Sequence, residues 1–149
     1  MKNLIYLGLI LIFCACSSNP QKEMEKKIIG EWCNPYTYQS TGELKGFNFK
    51  KDGICEAINI PSLDLKTWEI KDGYLIIKGT SIGENGEKEA YETKEKIDQL
   101  TADSLSLVVQ EANPRLAFLY LNTKIIKEKV TPQVNTTVEQ DSTSSTDIQ

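Results

Sequence analysis

The chain has 149 residues, a formal net charge of −4 and no histidine. One domain is the expectation at this length, and the mild acidity, with lysines scattered rather than clustered, argues against a nucleic-acid partner. The absence of imidazole removes both the commonest general base and the commonest zinc ligand, while a content of 40% hydrophobic and 26% charged residues excludes wholesale disorder and a multi-span membrane protein.

The chain opens with Lys2 and a nearly unbroken apolar run over residues 4–13. That run is too short to span a bilayer, which takes ~20 apolar residues, and it suits the apolar region of an export signal. Residues 1–15 are therefore set apart from the fold as a signal peptide. The run ends "FCACSS", with the small Ala15 directly before Cys16. This end resembles the lipobox of bacterial lipoproteins. The resemblance implies a cut after Ala15, a diacylglycerol thioether and amine acylation on Cys16, and, with Ser17 following, sorting to the outer membrane. Several acyl chains anchor a protein stably where one is marginal.

Residues 16–27 are polar and charged and read as a tether. Residues 28–124 carry the alternating apolar pattern of a folded domain. The remainder, 125–149, is a low-complexity tail: from Thr131 on it is rich in Ser, Thr, Gln and Asp and has no aromatic residue, too little apolar surface to offset the entropy of ordering. Of the four cysteines, Cys14 leaves with the signal and Cys16 carries lipid. Cys33 and Cys55 remain, and they can either pair as a disulfide in an oxidising compartment or stand as two buried thiols. Two sulfurs without histidine make no zinc site, and no metal or other cofactor is expected.

In chain order, the period of two predicts strands. "IIGEWCNPY" is the first, ending at Pro35. "LKGFNFKK" puts Phe47 and Phe49 on one face, and a hairpin turn follows at Asp52-Gly53. "ICEAINI" puts Ile54, Ile58 and Ile60 on one face. "LKTWEI" pairs Trp68 with Ile70, Asp72-Gly73 turns the chain again, and "YLIIKG" returns. "GENGEK" is a solvated turn, and "KEAYETKEKI", through Tyr91, Thr93 and Ile97, suits a solvent-exposed strand. "DSLSLVV" and "RLAFLYL" are the last two strands, and "KIIKEKV" either extends the eighth or forms a helical turn. The expected fold is all-β: an eight-stranded antiparallel up-and-down barrel, closed so that no edge invites pairing, with a disordered C-terminal tail. An open sheet or sandwich is the alternative.

The ordered motifs carry a second resemblance. Gly30-Glu31-Trp32 opens the first strand as the G-x-W of lipocalins does. "FNFKKDG", "TWEI", "LIIKGTSIG" and "IDQLTADSLSLVV" follow in the order found in the lipocalin-like domains of secreted lipoproteins from Gram-negative gut bacteria. The likeness runs from about Ile28 to Val109. It implies a calycin-type barrel in which Trp32 is a structural plug at the closed end. It also makes Phe47, Phe49 and Trp68 the candidates for contact with a bound ligand, against the plainer reading that all three are core.

Two functions compete on these grounds. The first is a membrane-anchored carrier whose barrel binds a small apolar or amphipathic ligand. The second is an envelope interaction or inhibitor protein with a filled barrel, whose charged loop over residues 83–88 meets an envelope protein partner. Catalysis is not expected: Ser-His and Cys-His arrangements are excluded, and the carboxylate pairs Glu87/Glu89 and Glu92/Glu95 sit among lysines as a solvated face. The expected location is the cell envelope, at the outer membrane through the lipid on Cys16.

Overall fold

The computed structural model describes residues 19–110 and 116–133. The signal segment, Cys16 and the chain beyond residue 133 lie outside the described residues. Eight strands form one antiparallel sheet: β1 (Gly30–Cys33), β2 (Gly46–Phe49), β3 (Cys55–Ile58), β4 (Leu63–Lys71), β5 (Tyr74–Ile82), β6 (Lys88–Leu100), β7 (Ser104–Val109) and β8 (Leu116–Asn122). Their order is β3-β2-β1-β8-β7-β6-β5-β4. Every neighbour but β1/β8 is sequential, so the sheet is an up-and-down meander curled until its last strands meet its first. The seam lies between β3 and β4, which share a single bridge, Ile54–Thr67. The Trp68 indole Nε1 also donates across this seam to the Lys50 carbonyl, at 2.9 Å. The expected eight-stranded barrel is thus observed, nearly closed.

Two glycines let the strands coil. An added Cβ at Gly46 would overlap the Trp32 carbonyl, and one at Gly79 would overlap the Asp64 carbonyl. Both sit where neighbouring backbone passes too close for any side chain. Tight turns supply the remaining connections where φ must be positive: Asp72 (φ 53°) and Gly73 (φ 79°) join β4 to β5 in a two-residue hairpin. The expected hairpin at Asp52-Gly53 is instead a 3-10 turn over Lys51–Gly53. That longer connection pairs Phe49 with Cys55 and sets Cys55 and Ala57 on the inner face, leaving Ile54 46% exposed. The isoleucine face expected for this strand is therefore corrected.

Three helices accompany the barrel. α1 (Pro20–Ile28) lies where a tether was expected, and α2 (Pro35–Thr41) follows the first strand. Both begin with the same dipeptide. Asn19 accepts from the Gln21 amide at 3.0 Å, Asn34 accepts from the Tyr36 and Thr37 amides at 2.9 and 3.0 Å, and a proline fills the first helical position each time. α3 (Thr123–Lys129) realises the helical alternative for "KIIKEKV". It carries the fold past Lys124, since Ile126 is fully buried, and the Gln133 amide returns to the Gln39 carbonyl at 2.7 Å. No helix among the described residues is long and apolar enough to cross a membrane.

The core fills the barrel at the end that α1 covers. Ile28, Trp32, Phe49, Cys55, Leu75, Leu105 and Leu107 are at most 1% exposed, and Met24 of α1 packs against the same cluster. A smaller layer lies outside the sheet, where α3 covers β1 and β8, and includes the buried Cys33 and Ile126.

Candidate functional site: the half-open barrel lumen

Strand parity decides what faces the interior. On β6, Tyr91 and Ile97 pack against the interior cluster, so Thr93 and Glu95, at even spacing between them, face the same way. Across the β5–β6 ladder Glu95 is opposite Leu75 and Thr93 is opposite Ile77, both of them core residues. Tyr120 enters from β8, with its ring 5.4 Å from that of Phe47. Tyr91, Thr93, Glu95 and Tyr120 are each half-buried: they point inward, and water still reaches them. The lumen therefore has two unlike halves that meet at one level: Leu75 and Leu105 are at most 1% exposed directly opposite Glu95 and Tyr120 on the neighbouring strands, and water still reaches the half onto which Tyr91, Thr93, Glu95 and Tyr120 face.

The electrostatics follow from that setting. Burial raises the Glu95 carboxyl above its usual range, and no neighbouring charge offsets the effect. Burial also raises the Tyr120 hydroxyl, and the nearby Glu95 and Tyr91 add to it. Tyr91 is raised by burial first and by Glu95 second. Both phenols stay protonated at neutral pH, and a hydrogen bond with Thr93 partly offsets the rise at Tyr91. Glu95 and Glu92, expected together on a solvated face, lie on opposite faces of β6. Glu92 meets Lys78 outside at 3.6 Å, whereas Glu95 is inside. β6 is thus half inward rather than wholly exposed, because closure of the sheet covers one of its faces.

The expected site residues divide between the halves. Trp32 sits at the α1 end, 1% exposed, with its Nε1 donating to the Ile28 carbonyl at 2.6 Å. Phe49 is fully buried and meets Trp68 edge-on, with ring centroids 5.7 Å apart. Trp68 spans the seam. Of the three aromatic candidates for ligand contact, Phe47 is the one beside the open half. Tyr91, Glu95 and Tyr120 were missed from sequence. The signal for Tyr91 and Glu95 was the odd-numbered row 91, 93, 95, 97, set in a lysine- and glutamate-rich stretch that reads as surface until its faces are known.

Cys33 and Cys55 are both free and buried. Cys55 is level with Phe49 and Gly30, and Cys33 lies an odd number of residues beyond Gly30, so the two thiols project from opposite faces of the sheet. The register forbids a bridge, and of the two alternatives it is the pair of buried thiols that the structure contains. Burial raises Cys33 to about 11 and Cys55 to about 12, in each case with a neighbouring glutamate adding to it. Among the described residues no group of three or more metal-ligating side chains comes together.

Outside the barrel, a cleft of about 490 Å³ runs between α1, the 3-10 turn and β4, walled by Lys22, Lys26, Ile29, Asp52 and Trp68 among others. Its charges are mixed, and it does not connect with the Tyr91–Glu95–Tyr120 group in its lining.

Comparison with known proteins agrees with this architecture. A comparison with curated proteins gives no match. Among solved structures, the chain is similar to a lipocalin-like protein from Bacteroides thetaiotaomicron VPI-5482. The two are 29% identical, with a TM-score of 0.55, over 64% of this chain and 95% of that one. The family model described as lipocalin-like matches residues 24–123, from within α1 to the first residue of α3. A barrel with a filled end, a tryptophan bonded into that end and a family match across the whole described sheet lead to one conclusion: the chain belongs to the lipocalin-like family.

Proposed function

We propose that the protein is a lipid-anchored binding protein that holds a small apolar or amphipathic ligand in the open half of its barrel. The observation that carries this reading is the difference between the two halves of the lumen. Inward side chains such as Trp32, Leu75 and Leu105 are excluded from water, while Tyr91, Glu95 and Tyr120 on the same inner surface are not. Concave, mostly apolar sites with a few placed polar groups are what small molecules bind. Phe47 lines the site; Phe49 and Trp68 back it from the packed half. Catalysis is not part of the reading: among the described residues no second carboxylate faces Glu95, and its neighbours are protonated phenols.

Anchoring rests on the sequence "CACSS", with acylation of Cys16 holding the barrel at the outer membrane. A Cys16→Ser chain is expected to leave the membrane fraction and take up no palmitate, and equal incorporation in that variant overturns the anchor. Native mass spectrometry of the protein, extracted gently from membranes, is expected to show a co-purifying small molecule. A second reading, in which the barrel end is a protein-docking surface, draws on the exposed Leu116 (51%) and Phe118 (37%). Recovery of an envelope protein in place of a small molecule would favour it.

A further inference from the structure

We propose that the open half of the lumen selects amphipathic ligands with a protonated amine head group, with the Glu95 carboxylate as counter-ion and the rings of Tyr91, Tyr120 and Phe47 as aromatic walls. The inference rests on the ligand-binding reading above and narrows its chemistry.

Glu95 stands on β6 opposite a core leucine, with its charge directed into a barrel whose described residues offer no cation in return. Among the described residues it makes no ion pair and no hydrogen bond with another side chain. Its neighbours Lys94 and Lys96 take the other face of the strand by parity, and the Lys94 ammonium lies over the Tyr74 ring, 4.8 Å from its centre. The titratable groups that do face Glu95 are Tyr91 on its own strand and Tyr120 on β8, with Cys55 of β3 beyond Tyr91. All three are neutral at physiological pH. An unpaired carboxylate in such a place is costly, and a bound cation removes the cost.

The surroundings suit a cation in a second way. The faces of Tyr91, Tyr120 and Phe47 attract an ammonium by their quadrupoles, and the Phe47–Tyr120 contact holds two of those rings together. The β5–β6 turn has the same sign: Glu84 and Glu87, with Glu89 continuing the inward row of β6, outnumber Lys88. A fatty-acid head group would meet repulsion at Glu95.

The test uses the chain from residue 16 onward with Cys16→Ser, so that no bilayer or detergent competes for the probes. Octylamine, octanol and octanoate, equal in chain length, are titrated by calorimetry at neutral pH. Octylamine is expected to bind about tenfold or more tightly than octanol, with octanoate weakest. Glu95→Gln is expected to bring the amine to within about twofold of the alcohol. Acidification should weaken the amine preference of the parent chain as Glu95 takes a proton, and should change the variant less. The proposal is overturned if octanoate equals the amine, or if Glu95→Gln keeps the preference. Binding of octanol with no preference for the amine defeats this inference alone. Failure of all three probes defeats the ligand-binding reading and the inference with it.

Discussion

The indole Nε1 of Trp32 donates a 2.6 Å hydrogen bond to the carbonyl oxygen of Ile28, and this contact fastens the helix that covers one end of the barrel to the strand that begins it. Both residues are at most 1% exposed. Trp32→Phe keeps the ring in the core but removes the donor and leaves a void, so a loss of about 2–4 kcal/mol is expected in urea unfolding. Trp68→Phe removes a comparable bond at the half-buried seam and should cost about 1 kcal/mol. Equal losses in the two variants would show that the α1 end has no special place in stability.

Gly46 tests the coiling of the sheet. A methyl group there would overlap backbone, which cannot step aside as a side chain can. Gly46→Ala is expected to cost about 3 kcal/mol or more. Gly73 has open space around it but a positive φ, so Gly73→Ala should cost only about 1 kcal/mol. Thermal melts of the two variants give the comparison.

The buried thiols predict both a reactivity and a pH dependence. Cys33 and Cys55 should resist a thiol-specific disulfide reagent at about pH 8 in the native state and react after denaturation. Folding raises their pKa values, to about 11 and about 12, so the folded state prefers the neutral form. The stability they contribute is fully present below the unfolded value near 9 and is lost as pH rises through 11. Tyr91 and Tyr120 act in the same direction. Unfolding free energy should therefore fall steeply above about pH 9, and Cys33→Ala with Cys55→Ala should flatten that fall.

Glu95 should trade stability for binding. Folding raises its pKa through burial, so its contribution is most favourable when it is protonated, below its unfolded value, and declines as pH rises through the folded one. Glu95→Gln is thus expected to melt a few degrees higher than the parent at neutral pH and at the same temperature near pH 4. A variant that is less stable at pH 7 would mean that the carboxylate has a partner in the folded chain.

Much of the barrel was legible from local signals. Asp-Gly pairs and alternating Phe47/Phe49, Trp68/Ile70 and Leu105/Leu107 are short-range patterns, and each strand and its turn can be read without its neighbours. The helix starts at Asn19-Pro20 and Asn34-Pro35 were equally local, but the first lay in a segment read as tether and the second was read only as the end of a strand.

Sidedness was a different matter, because alternation states that a strand has two faces and not which one the closed sheet will enclose. For β2 and β4 the aromatic face settled the choice. For β6 both faces carry charge, and only the ladder to Leu75 and Ile77 turns Tyr91 and Glu95 inward. The same holds for Cys33 and Cys55, whose spacing along the chain allowed a bridge until the pairing of β1 with β2 and of β2 with β3 set them on opposite faces. Strand number and turn chemistry are properties of short stretches of chain. The lumen and its carboxylate arise from registers between strands distant in sequence, and those exist only once the sheet has curled and closed.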